Sequence, residues 1–180
     1  MTQEKNNGIV FMQQEFSIGA KMKTEPQVKS ISVEEWYKLS ASGTEIPVTL
    51  KLNGESMRPL IRKQRDAVTV VRVCRELKRG DVVLFLRKDG AYVVHRIWKI
   101  KGESIVTAGD NCVECDAPVS ASDIRGIVIK AERNGKIINL DSAVSRAFGI
   151  LWQMTRPLRS VWLKIKKCGA GILKRMRGIK

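Results

Sequence analysis

The chain has 180 residues, 43% of them hydrophobic and 28% charged, an ordinary globular composition with enough apolar residues for a core. Its formal net charge is +15 and unevenly placed: Ala143 to Lys180 holds ten Lys or Arg and no Asp or Glu, leaving +5 for the first 142 residues. The basicity therefore belongs to the tail; the first thirty residues hold no long apolar core of a signal peptide, and no run of about eighteen uncharged apolar residues is present to span a bilayer.

In chain order, residues 1–30 read as a polar, irregular and flexible segment. Ser32-Val33-Glu34-Glu35 has capping-box spacing, and Trp36, Tyr37 and Leu39 come next, so a short helix ending near Gly43 is expected, its aromatics serving packing. Ile46–Leu52 alternates as a strand does and leads into Gly54-Glu55-Ser56-Met57-Arg58-Pro59-Leu60. Gly54 permits a bend, Pro59 prevents a long helix, and Met57 offers a side chain to bury. Ser56 thus stands at a strand end on a short turn, where a hydroxyl can meet a substrate; a turn serine bonded to its own backbone is the plainer alternative.

Further strands are read at Ala67–Val73, at Val82–Leu86 (apolar throughout, hence buried on both faces), at Ala91–Trp98 and at Ser104–Ala108. Lys88-Asp89-Gly90 and Asn134-Gly135 carry hairpin signals, the second joining Gly126–Lys130 to Lys136–Leu140. Residues 31–142 are therefore expected to be mainly β, a coiled antiparallel sheet or partly open barrel.

Three features within this body can carry chemistry. His95, the only histidine, shares a strand face with Val93 and Ile97, where a satisfied core histidine is the ordinary outcome. A serine nucleophile, however, needs a neighbouring base, and imidazole suits that task near neutral pH. Asp110, in Ala108-Gly109-Asp110-Asn111, and Asp116 lie one hairpin downstream, where a turn can return a carboxylate to the ring; alone, Asp110 reads as a turn aspartate. Cys112-Val113-Glu114-Cys115 is a lone C-x-x-C, without two more ligands for zinc or the strand-to-helix setting of a redox pair. These two cysteines read as ordinary thiols in a reducing compartment, and no metal site is expected.

Taken together, Gly54-x-Ser56-Met57-x-Pro59, Arg79-Gly80-Asp81-Val82-Val83, His95-Arg96-Ile97 and Gly109-Asp110-Asn111 with Asp116 resemble the type I signal peptidases. They resemble in particular the serine–histidine branch of the endoplasmic reticulum, archaea and spore-forming bacteria. The resemblance runs from Ile46 to Ile129. It implies a β-rich fold of the signal-peptidase type, with Ser56 as nucleophile and His95 as general base. Lysine stands at that place in the common bacterial branch and in the related self-cleaving SOS-type repressors. Asp116, with Asp110 as the second candidate, would orient the histidine or hold the site. Gly54, Met57 and Pro59 would shape the turn; some members carry an oxyanion serine where Gly54 stands, so here the donors would be backbone N–H groups. No cofactor is implied, and the substrate would be a peptide or protein precursor added as an extended strand.

Members of that family are usually anchored by a transmembrane helix, which this sequence lacks. Residues 143–180 instead read as a basic amphipathic helical tail. Ala147, Phe148, Leu151, Leu158, Trp162 and Ile165 recur at helical spacing, interrupted at Pro157. Trp152, Trp162, Arg156, Arg159, Lys164, Lys166 and Lys167 are the candidate contacts to an anionic membrane surface. A helix packed on the body is the alternative; nucleic acid is disfavoured, because no recognition motif accompanies the charge. The expectation is a cytoplasmic serine endopeptidase, peripheral to the inner membrane face, that cuts leader or signal segments of peptide precursors. A non-catalytic peptide- or membrane-binding relative is one alternative. A self-cleaving SOS-repressor-like regulator is another, for which thirty irregular residues before the body are too few for a DNA-binding domain.

Overall fold

A computed structural model describes residues 32–41 and 46–159. The elements are α1 (Val33–Ser40), β1 (Val48–Lys51), β2 (Ala67–Val71), β3 (Val82–Leu86), β4 (Tyr92–Lys101), β5 (Ser104–Ala108), β6 (Val119–Ser120), β7 (Ile124–Arg133), β8 (Lys136–Asn139) and α2 (Ala143–Met154). The strands form one antiparallel sheet in the order β1-β2-β7-β3-β4-β5-β6, and β8 adds to the far half of β7. The mainly β architecture expected from the alternation is thus present.

Local chemistry accounts for the element ends. Ser32 caps α1 by accepting the Glu35 N–H while the Glu35 carboxylate accepts the Ser32 N–H, a complete capping box. Asn134 and Gly135 both have positive φ, 50° and 74°, as a two-residue hairpin turn of the right hand of twist requires. The short β6, a two-residue bridge after a coil, has no alternation to read in the sequence.

Buried side chains fall on both faces of the sheet. Along β3, Val82 and Leu84 join Val68, Val70, Val94, Val128, Met57 and Trp36 on one side; Val83 and Phe85 join Val93, Ile97, Ile105 and Ile127 on the other. This is why β3 is apolar throughout. Trp36, buried, ties α1 to the start of β1 by donating its Nε1–H to the Ile46 carbonyl at 2.7 Å.

The boundary expected after residue 142 does not detach α2 from the sheet. Ser142 caps α2, and Gly149 lies directly against the Arg96 guanidinium, where an added Cβ would sit 2.3 Å from its Cζ. Glycine costs a helix interior stability, roughly 1 kcal/mol, but here it permits this close seat. The helix ends at Met154 and a helical turn continues at 156–159, so the interruption falls at Thr155, just before Pro157. Proline lacks the N–H that would continue the ladder, and its ring disfavours helical geometry in the residue before it. Trp152, Arg156 and Arg159, expected at a membrane, are instead hydrogen-bonded to the body, and Arg156 is buried. Trp162, Lys164, Lys166, Lys167 and residues 1–30 lie outside the described residues. Among the described residues no helix is long and apolar enough to cross a membrane.

Gly126 shows how tightly α1 closes the sheet. A Cβ there would meet Val70 Cγ1 and the Val71 carbonyl at 2.6 Å, and the Trp36 ring at 3.0 Å. We expect Gly126→Ala to destabilise the fold by about 1–3 kcal/mol through overpacking, seen as a lowered midpoint in thermal unfolding; an unchanged midpoint would contradict this packing.

Candidate active site

Ser56 lies in a run of turns between β1 and β2. The Arg58 N–H donates to the Glu55 carbonyl (3.2 Å) and the Ile61 N–H to the Met57 carbonyl (2.9 Å). Leu52, Met57 and Ile61 are buried in the core and fix the turn from below, while Ser56 itself stays half-buried. The Arg58–Pro59 peptide is cis.

The far end of β5 holds the turn from the other side. The Asn111 N–H donates to the Ser56 carbonyl at 2.6 Å, and its side-chain amide reaches the Glu55 carbonyl at 3.4 Å. Gly109 makes this approach possible: a Cβ there would stand 2.7 Å from the Ser56 carbonyl oxygen and 2.9 Å from Ser56 Cβ. The β4–β5 ladder ends with Arg96 opposite Ala108, and His95 and Gly109 are the next residues beyond that pair on the two segments. Ser56 is therefore seated at the end of the ladder where His95 also stands, although β1 and β4 are not neighbours in the sheet.

His95 is only 7% exposed and lies tilted against Phe85, ring centroids 6.3 Å apart. Its Nδ1 is 2.7 Å from Asp116 Oδ2, and that same oxygen accepts the Thr107 hydroxyl at 2.7 Å. The Asp116 N–H in turn donates to the Thr107 carbonyl, which fixes the coil after β5. An ionised carboxylate only accepts, so Nδ1 carries the proton and the neutral ring leaves its lone pair on Nε2. That Nε2 is buried and has no hydrogen-bond partner among the described residues. Burial works against ionisation of Asp116, but the hydrogen bond from His95, the Thr107 hydroxyl and the Arg87 charge outweigh it and hold the carboxyl below the usual aspartate value.

Asp110 does not reach the histidine. Consecutive residues of a strand face opposite ways, and Asp110 meets Arg96, His95's neighbour. The Arg96 Nε and Nη2 donate to the two Asp110 oxygens, both at 2.9 Å, and Nη1 donates to the Gly80 carbonyl at 2.7 Å, all of it buried. The inner face of α2 completes the support. Gln153 donates to the Ala108 carbonyl, Trp152 and Arg159 to the Asp110 carbonyl, and Arg156 to the Gly109 carbonyl and Cys115 Sγ. Asp81 anchors the other end of the helix: it accepts from Arg75, from the Lys78 N–H and from Arg146 on α2.

Sequence reasoning singled out Ser56, His95 and Asp116 and missed Thr107, Arg96 and the inner face of α2. Thr107 carried a weak signal, a hydroxyl between the apolar Val106 and Ala108; Gln153 and Gly149, polar and small positions in the apolar second half of α2, carried another. Cys112 Sγ also crowds Gly109, at 2.7 Å from its would-be Cβ. Burial first, and the Asp116 charge second, push this thiol above its ordinary value, which disfavours the reactive thiolate.

The Asp116 geometry has a pH signature. A carboxyl whose folded value lies below its unfolded one stabilises the fold above the unfolded value, and that contribution disappears as pH falls through the folded value. Asp116→Asn should therefore lower the thermal midpoint most above about pH 5, with the gap to wild type closing as pH falls below about 4. A gap that stays constant from about pH 6 down to about pH 3 would show that the pairing contributes nothing through ionisation. Compared with known proteins, the chain matches no family model and no curated sequence.

Proposed function

We propose that the chain is a serine endopeptidase of signal-peptidase type that cuts leader or signal segments of peptide precursors. The observation that carries this reading is His95: Nδ1 fixed by Asp116 at 2.7 Å, and a buried Nε2 without a partner among the described residues, just beyond the end of the β4–β5 ladder where Gly109 seats Ser56. A buried imidazole nitrogen left without a partner forfeits a hydrogen bond. A substrate-facing base explains that loss; a packing histidine does not.

In this mechanism Ser56 Oγ attacks the scissile carbonyl as His95 Nε2 takes its proton. Asp116 holds the tautomer and stabilises the imidazolium, and Thr107 keeps the carboxylate in place. The imidazolium then protonates the leaving amine. Water, deprotonated by the same nitrogen, releases the acyl group. The Ser56 N–H is the first donor to the oxyanion, and its position depends on the Asn111 and Gly109 contacts. The substrate would lie along β4: Tyr92–Val94 precede the first β5 pair, Arg96 with Ala108, so their β5-side edge has no strand among the described residues and can take an extended peptide.

Ser56→Ala and His95→Ala should each lower kcat for a cleavable peptide by about a thousandfold or more, and Asp116→Asn by about a hundredfold or more. A general base acts only in its unprotonated form, so cleavage by the wild type should fall on the acid side of its pH profile. Gly109→Ala should cost as much activity as Asp116→Asn with near-normal secondary structure, because the methyl displaces the Ser56 turn. Cleavage that survives in His95→Ala would overturn the assignment of the base.

A further inference from the structure

α2 has two faces with opposite fates. Gly149, Trp152, Gln153 and Arg156 point inward and hold the backbone from Ala108 to Asp110. Val144, Phe148, Leu151 and Met154, with Leu158 in the next turn, lie on the other side at helical spacing and are 49–80% exposed. Large apolar side chains scattered singly over a surface need no explanation, but five in a continuous stripe on one helix mark an interaction surface.

The charge that follows the stripe in the sequence selects its occupant. The chain holds no Asp or Glu from Ala143 onward. Arg146, Arg156 and Arg159 are engaged with the body, whereas the sequence from 160 to 180 supplies seven further Lys or Arg. An apolar stripe continued by a cationic segment without a single acid matches an acidic phospholipid surface: the side chains enter the headgroup boundary and the cations meet the anionic lipids. It is a poor match to a second copy of the same chain, whose stripe would bring its own cations.

We propose that the outer face of α2 docks the protein on an anionic lipid bilayer, and that α2 thereby steadies the loop on which Ser56 is seated. The residues that meet the lipid are Val144, Phe148, Leu151, Met154 and Leu158; Trp152, Arg156 and Arg159 transmit the docking inward. The path is short: lipid on the outer face, α2, the carbonyls of Ala108, Gly109 and Asp110, and then Gly109 and Asn111 against Ser56. Docking is independent of the peptidase reading, whereas its effect on cleavage rests on it.

The test compares the full chain with Phe148→Glu/Leu151→Glu, both exposed positions, in sedimentation with vesicles of phosphatidylcholine alone or mixed with phosphatidylglycerol. Wild type should sediment with the mixed vesicles and not with the neutral ones, and the double variant should bind about tenfold or more weakly with unchanged mass and thermal midpoint. Equal binding of both proteins would overturn the proposal, placing the contact in other cations. Absence of vesicle binding would also overturn it; a dimeric wild type with a monomeric variant would then assign the stripe to self-association, and a lowered midpoint in the variant would assign it to packing by another segment of the chain. Cleavage of a peptide with and without mixed vesicles reads the coupling, and should rise for wild type alone. Vesicle binding that discriminates the variant, with no cleavage by either protein, would leave the docking in place and remove the peptidase reading.

Discussion

The buried ion pair of Arg96 and Asp110 is the constraint on which the geometry of this molecule turns. Both groups are removed from water, and the cost of that removal is offset only by complete partnering: two charge-assisted bonds between them, the Gly80 carbonyl, and Gln153 from α2. Such a pair adds little net stability over an apolar replacement, but breaking it by removing one partner costs about 3–5 kcal/mol. Its consequence is positional. It leaves the loop from Gly109 to Asn111 one place to be, and Ser56 rests on that loop.

The period of a β-strand then divides the labour on β4. Arg96 faces the side closed by α2 and organises the scaffold; His95, one residue earlier, faces the opposite side with Phe85 and Asp116. One strand therefore fixes both the platform for Ser56 and the direction of the imidazole. A one-residue slip in register would exchange them. The positive-φ Gly80, the α2 N-terminus and Asp81 brace that register, with the Ile97 N–H donating to the Asp81 carbonyl at 2.8 Å and the Gly80 N–H to that of Ile97 at 2.9 Å.

Much of this was legible in the sequence because it is local. Apolar and β-branched runs bounded by turn signals give β2 to β5, Ser32 and Glu35 give α1, and Asn134-Gly135 gives the last hairpin. The turn holding Ser56 announces itself through Gly54 and Pro59. The preference for Asp116 over Asp110 came from the family resemblance and was not legible in the local pattern. The choice depends on which face of the β4–β5 ladder each carboxylate meets, and a bulge at Ile97–Lys99 shifts that register in a way that alternation does not reveal. The inner face of α2 was hidden for a different reason. Its tryptophan and arginines suit a lipid surface as well as a protein carbonyl, and only the close seat of Gly149 on Arg96 decides which they meet.

In the proposed reading, histidine in the base position changes what the site needs from its surroundings. A lysine acts as a base only when burial or neighbouring cations drive its value far down, so it requires a dry, apolar pocket. Imidazole has its basic form available near neutral pH without such a pocket, but a free ring has two tautomers and no fixed direction. The carboxylate supplies both missing properties, and Thr107 holds the carboxylate. This matches the local environment: Asp116 keeps 20% of its side chain exposed, beside an open strand edge, where a lysine would stay charged. The apolar contacts of His95 and the polar ones of Asp116 are therefore two halves of one device, which explains why a lone histidine on an apolar face comes with an acidic turn one hairpin later.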